Sequence, residues 1–193
     1  MRWAVVFGPP IALAIVLLSN RLVVEVQDHT ALLALVDWSG HLATGAVVLL
    51  ALASLGVAWA RVPAFVIGVL IGSLAVDIDH VPDVVFHSQS FTVGTSRPYA
   101  HSIATVVALA LIGAALLCRP DPRPGQLSIG LAAGVALHLL RDAAVPRGVG
   151  LALWWPITER AVQISPAVYV AVVAAAGLVV WSALAGRAAL RRR

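Results

Sequence analysis

The segment VPAFVIGVLIGSLAVDIDHVPD, residues 62–83, decides how the chain is to be read. Up to Val76 it is hydrocarbon apart from Ser73. Then Asp77, Asp79, His80 and Asp83 arrive within seven residues. An apolar run that ends abruptly in ionisable groups is the pattern of a membrane-crossing helix that delivers chemistry at one end.

The composition agrees. Of 193 residues, 61% are hydrophobic and 11% are charged, and the mean hydropathy is +0.96. Soluble domains carry about 25% charged residues, so a soluble globular class is excluded and the length suits one transmembrane domain, residues 1–193. Every basic residue is arginine. A pI near 10.6 would point to nucleic acid in a soluble protein. Here the arginines sit singly in short connections apart from Arg191 to Arg193, with no basic stripe interleaved with aromatics. They read as topology signals beside a bilayer, and no nucleic-acid partner is expected. The single cysteine, Cys118, excludes an internal disulfide and reads as a small apolar residue.

Spanning a bilayer takes about 20 apolar residues. Six stretches qualify, at about 3–19, 41–60, 62–76, 99–118, 127–141 and 165–186, giving an all-α, polytopic helical bundle. The first stretch contains Pro9 and Pro10, lacks a clear cleavage site after it, and reads as a retained span rather than a signal peptide. The third and fifth reach full length only when the polar residues at their ends are included. ALLALV, residues 31–36, reads as an interfacial helix before the second span, with Asp37 as that span's N-terminal cap. RPDPRPGQ, residues 119–126, is a proline-rich turn. With six spans both termini share a side. Arg2, Arg61, Arg119, Arg123, Arg187 and Arg191 to Arg193 lie there, against Arg21, Arg97, Arg141, Arg147 and Arg160 opposite. The positive-inside rule then places both termini in the cytoplasm of a plasma or inner membrane.

On that topology the polar residues converge on the outer face. His41 starts the second span, Asp77, Asp79 and His80 end the third, His101 and Ser102 stand near the start of the fourth, and His138 and Asp142 end the fifth. Ionisable groups in a membrane cost on the order of 2–3 kcal/mol each near the midplane and less toward the interface. Their convergence on one level implies mutual compensation around a shared cation or a water-filled pocket.

The spacings suit a metal. His138 and Asp142 are four residues apart, on one face of a helix, so both can ligate one ion or one can orient the other. Asp77 and Asp79 share a face if the backbone is extended there; in a helix Asp79 pairs instead with His80 or Asp83. Histidine with carboxylate is the ligand set of hydrolytic zinc sites, and manganese or iron accept it too. One ion or two fit this many donors. Helix capping, or an ion pair with Arg97 or Arg141, is the alternative for Asp79, His80, His138 and Asp142, but capping does not account for four convergent helix ends. His29 and His87 read as interfacial residues, Arg141 as a snorkelling side chain aimed away from His138, and Trp154 and Trp155 as members of an interfacial aromatic belt.

Five elements in register carry a resemblance. HLATG (His41, Gly45), VDIDH (Asp77, Asp79, His80), SRPYAHS (Arg97, His101, Ser102), HLLRD (His138, Asp142) and LWWP (Leu153 to Pro156) follow one another across about residues 38–156. This order resembles the YdjM-like family of membrane-bound metal-dependent hydrolases. The family pattern is a histidine followed four residues later by glycine, a PDIDH block, His-Arg-x-x-x-His-Ser, a His-x-x-x-Asp pair, and a loop ending in an aromatic–proline motif. Two positions depart from it: Val76 stands for the family's proline and Ser96 for the histidine before Arg97. His87, in FHSQSFTVG, is the residue available to replace that histidine. The family is in turn distantly similar to zinc-dependent phospholipase C and P1-type nucleases, so the implied chemistry is phosphoester hydrolysis.

The expectation is a membrane-embedded hydrolase of a phosphoester or ester in a lipid-like, amphiphilic substrate. His41, Asp79, His80, His101, His138 and Asp142 are expected to hold a divalent metal, zinc first. Asp77 is the expected general base if it is not a ligand, and Arg97 a fork for an oxyanion. Ser102 is expected to donate to the same oxygen or to cap its helix. A metal or ion transporter is the competing class, but transporters favour the midplane between repeated halves, and the chain shows no repeat. A scaffold with a structural metal fits the same ligands.

Overall fold

The computed structural model describes residues 2–25, 30–80, 99–144 and 150–190. Six α-helices follow one another: α1 (Arg2–Glu25), α2 (Thr30–Ser54), α3 (Pro63–Ala75), α4 (Ile103–Leu117), α5 (Arg123–Ala144) and α6 (Pro166–Leu190). Short 3-10 turns occupy Ala58–Arg61 and Val76–His80. No β-strand occurs among the described residues; Leu151 and Val162 form an isolated antiparallel bridge. Ala34–Ser54, Arg123–Ala144 and Pro166–Leu184 are long and apolar enough to cross a membrane, and Pro10–Val23, Pro63–Ile78 and Ile103–Leu117 are shorter apolar helices. The all-α class expected from the sequence is the observed one among the described residues.

Several boundaries differ from the expectation. Residues 31–36 are not a separate interfacial helix, because α2 runs without a break from Thr30. Asp37 therefore lies inside α2 and does not cap it. α1 continues through Pro9 and Pro10; a proline in a membrane helix loses one backbone bond, which neighbouring groups can make good. α2 stops at Ser54 rather than near residue 60. Gly56, at φ +83°, closes it with bonds from the Gly56 N–H to Ala53 O (3.2 Å) and from the Val57 N–H to Leu52 O (2.9 Å), the pattern of a Schellman cap. Proline opens α3 and α6 at Pro63 and Pro166, where its missing N–H costs nothing.

The chain divides into two compact units, residues 1–62 with 167–193, and residues 63–166. In the first, α1 packs on α2. α2 and α6 are joined by a hydrogen bond between Thr44 Oγ1 and Tyr169 Oη (2.5 Å), and the Thr44 hydroxyl also reaches the Gly40 carbonyl (2.7 Å). Both side chains are buried.

The second unit is built around α5. α3 and α5 run parallel and approach backbone to backbone. A Cβ placed on Gly68 would sit 2.3 Å from Leu127 O, one on Gly72 2.4 Å from Leu131 O, one on Gly130 2.3 Å from Phe65 O, and one on Gly134 2.3 Å from Val69 O. Gly68/Gly72 and Gly130/Gly134 are two GxxxG pairs facing each other, the small-residue solution to helix packing where lipid removes the hydrophobic driving force between helices. α4 lies antiparallel on α5, with Gly113 against Ile129 and Gly125 against Leu117, and with Ser128 Oγ donating to Leu109 O (2.7 Å). The loop after α5 folds back over the helix ends. Leu151 and Val162 exchange backbone bonds of 3.0 and 2.7 Å, Ile164 N–H donates to Ala143 O (2.8 Å), and Ile103 N–H donates to Leu153 O (2.8 Å).

Gly134→Ala forces a methyl into backbone atoms and is expected to cost about 1–3 kcal/mol, seen as a lower unfolding temperature in detergent. Gly177→Ala, where a Cβ meets nothing within 4 Å, is expected to leave that temperature unchanged or slightly raised. Equal behaviour of the two variants would refute the close α3–α5 approach.

Candidate metal centre

The second unit gathers four of the residues singled out in the sequence. Asp77 lies in the 3-10 turn that continues α3, His101 two residues before α4, and His138 and Asp142 on the last turns of α5. Parallel α3 and α5 bring their C-terminal ends to one level, and antiparallel α4 brings its start to the same level. The expected end-on convergence holds within this unit.

The helix register fixes the first ligand. Ser73 is among the last four residues of α3, whose carbonyls have no α-helical partner, and His138 Nδ1 lies 3.0 Å from Ser73 O. A carbonyl only accepts, so Nδ1 carries the proton and Nε2 of the neutral ring presents its lone pair. That Nε2 lies 3.3 Å from His101 Nε2, 3.3 Å from Asp142 Oδ2 and 3.4 Å from Asp77 Oδ1. His101 Nε2 is 3.7 Å from each of the same two carboxylate oxygens. The imidazoles meet edge to face, with ring centroids 5.1 Å apart. The side chains of His101 and His138 are 0% exposed, Asp142 1% and Asp77 11%, so the cluster opens at Asp77.

These donors suit a cation. Two imidazole nitrogens and two carboxylate oxygens at 3.3–3.7 Å crowd negative and lone-pair density where little water screens it. Donors sharing one tetrahedral zinc ion at 2.0–2.2 Å stand about 3.3–3.6 Å apart, the spacing seen here. The Ser73 carbonyl on His138 Nδ1 supplies the outer hydrogen bond that metal-ligating histidines usually carry. His101, His138 and Asp142 together form a buried group able to hold a metal ion.

Of the remaining expected residues, His41 belongs to the first unit, where it is buried, eleven residues past the start of α2 rather than at its beginning. Its Nε2 lies 3.7 Å from Asp37 Oδ1, one turn earlier. The backbone of residues 76–80 is 3-10 helical, so the extended arrangement considered for Asp77 and Asp79 does not occur. The side chains of Asp79 and His80 lie outside the described residues, as do His29, Asp83, His87, Ser96 and Arg97. Ser102 takes the N-cap position of α4 without a capping side-chain bond; its hydroxyl is 3.5 Å from Thr105 Oγ1. Trp154 is exposed, whereas Trp155 packs on Tyr99 with ring centroids 4.7 Å apart. Arg141 does not snorkel: it is 0% exposed. Two contributors escaped the sequence reading, Ser73, which acts through its carbonyl, and Asp37, whose four-residue spacing to His41 was the available signal.

Apolar helices of spanning length with a buried histidine–aspartate donor cluster at their ends define a multi-pass helical membrane protein carrying a candidate metal centre. The chain belongs to the YdjM inner membrane protein family, which matches residues 36–192. No curated protein and no solved structure matches it.

Asp142→Asn keeps the shape of the side chain and removes its charge. After dialysis against trace zinc, bound metal is expected to fall at least tenfold relative to the unsubstituted protein, measured by elemental analysis of detergent-purified protein. Equal metal content would remove Asp142 from the site.

Proposed function

We propose that the protein is a membrane-embedded, metal-dependent hydrolase of a phosphoester or ester in a lipid-like, amphiphilic substrate. The observation that carries this reading is the meeting of His101, His138, Asp77 and Asp142 through four donor atoms, with His138 locked in the ligating tautomer by Ser73. A divalent ion, zinc by donor set, with manganese or iron the alternatives, would supply Lewis acidity there. His101 Nε2, His138 Nε2 and Asp142 Oδ2 would hold it, with Asp77 Oδ1 3.4 Å from His138 Nε2. The second oxygen of Asp77 would be the base that takes a proton from the attacking water. His41, Asp79 and His80 are proposed as further ligands, of this ion or of a second, on the sequence pattern alone. Arg97 is proposed on the same ground to bind an oxyanion, and Ser102 to donate to it. A site at helix ends rather than at the midplane suits a substrate whose scissile bond lies at headgroup depth, and favours hydrolysis over transport.

All six apolar helices are proposed to cross the membrane, with both termini cytoplasmic and the metal centre facing outward. The arginine distribution supports this orientation.

Purified protein loaded with zinc is expected to hydrolyse a phosphodiester or ester amphiphile, and His138→Ala to reduce the rate by at least about 100-fold. Bound metal without hydrolysis of any phosphomonoester, phosphodiester or carboxylic ester would leave a structural metal scaffold. Metal-dependent flux into vesicles without hydrolysis would make the protein a transporter. The orientation has its own test, because Cys118 is exposed at the C-cap of α4, the opposite end from His101. A membrane-impermeant maleimide is expected to label Cys118 in inside-out vesicles and not in intact cells stripped of their outer layers. The reverse pattern would invert the topology.

A further inference from the structure

Between α4 and α5, under the loop that follows α5, lies a groove of about 260 Å³. Its floor is a strip of α5, Ala136, Leu139 and Ala143, spaced three and four residues apart and so on one face of the helix. α4 faces this strip with Ile103 and Val106. The loop closes one end, where Leu153 and Ile164 line the groove and bond through their backbones to Ile103 and Ala143. That end is at the level of the metal centre, because Ile103 stands two residues after His101 and Ala143 directly follows Asp142. From there the groove follows α5 for about 10 Å, at the helical rise per residue, down to Ala136. Leu139 and Ala143 are buried and Ala136 is exposed, so the end away from the donors is the open one.

Every side chain on these walls is aliphatic. The groove offers a ligand neither charge nor a side-chain hydrogen bond, so a polar group would lose its hydration there without return, and hydrocarbon is what fits. Pockets that enclose a whole small molecule measure about 300–1,000 Å³; this one suits part of a ligand. Its long axis follows the helix, the direction in which lipid tails lie beside a spanning helix. His138 and Asp142 occupy the face of α5 one residue, about 100°, round from Leu139 and Ala143. Donors for a cation and a channel for hydrocarbon thus meet at one level of the same helix.

We propose that this groove is the tail subsite of the metal centre: it takes the single hydrocarbon chain of an amphiphile whose polar head the cation holds, and it selects ligands by chain length. This deepens the hydrolase reading and rests on it for the word substrate. The subsite itself is testable without turnover.

Straight-chain hydroxamic acids, from acetyl to dodecanoyl, are the probes, because their common head binds zinc. They are titrated by calorimetry into full-length, zinc-loaded protein in lipid nanodiscs. Affinity rises about three- to fourfold per added methylene and levels off once the tail passes Ala136. Partition into the disc acts alike on every variant, so the comparison of variants carries the test. Ala136→Phe fills the open end and weakens the long-tailed probes by about tenfold or more, the worth of about two methylenes, with acetohydroxamate affinity and zinc content unchanged. Ile112→Phe, at an exposed position of α4 outside the groove, changes none of these. A dodecanoyl probe with a diazirine at its tail end, photolysed on the unsubstituted protein, labels peptides containing residues 103–106 and 136–143, and it decides the matter should Ala136→Phe fail to fold. Equal effects of the two phenylalanine variants overturn the proposal, since the tail then lies in bulk lipid, and so does labelling confined to other peptides. Long-tailed probes that bind zinc-free protein equally well also overturn it, because the groove then has no link to the cation. If tail selection holds but no ester is hydrolysed, the hydrolase reading fails and the subsite stands. If esters are hydrolysed at rates indifferent to tail length and to Ala136→Phe, the reverse holds.

Discussion

The contact between the backbones of α3 and α5 governs the second unit. Side chains normally hold packed helices 8–10 Å apart; four glycines on the facing surfaces remove that spacer, and a Cβ at any of them would overlap a carbonyl oxygen or backbone atom of the other helix. Such contact admits one register, because a slide along the axis would carry a larger side chain into the gap. Register then decides chemistry. Gly134 against Ser73 places His138, one turn later, under the Ser73 carbonyl, and that bond selects the tautomer that leaves Nε2 for a ligand. The packing motif and the candidate metal centre are consecutive turns of one interface.

The same interface explains why charged groups survive in so apolar a chain. Each carboxylate removed from water loses several kcal/mol of hydration, and two carboxylates beside two imidazole lone pairs concentrate electron density at one point. A cation turns that liability into binding energy, and burial of His101, His138 and Asp142 strengthens the attraction. Asp77 keeps the most exposed side chain of the four, so water has its approach on that side.

Much of this was legible in the amino-acid sequence. Hydropathy marked all six helices, and counting helix ends placed Asp77, His101, His138 and Asp142 on one level, because up-and-down connection leaves few other options. Helix boundaries were less legible where apolar length was the signal. α2 starts at Thr30 because a helix in an apolar setting continues through Asp37 as long as a partner such as His41 stands one turn away. The two GxxxG pairs stood in the chain unread, since nothing in one helix says which other it meets. Ser73 was beyond reach altogether: its contribution is a backbone carbonyl, which every residue has. Arg141 was expected to snorkel because a helical turn was taken to aim it away from His138, whereas the side chain is fully buried.

LWWP looked like a membrane-surface belt, and Trp154, exposed, is free to serve as one. Its neighbours do something else. Leu153 O caps the first N–H of α4, Trp155 packs on Tyr99, and the far arm of the same loop donates from Ile164 to Ala143 at the end of α5. His101 lies between Tyr99 and Ile103, and Asp142 immediately precedes Ala143. The loop therefore clamps two ligand-bearing segments that belong to different helices and that no side-chain contact within either helix would hold at 3.7 Å. His101 precedes α4 and has no helical backbone of its own, so its position depends on this clamp more than that of any other donor. This gives a physical reason for an aromatic–proline loop to accompany the histidine–aspartate elements: it fixes the backbone on either side of one imidazole.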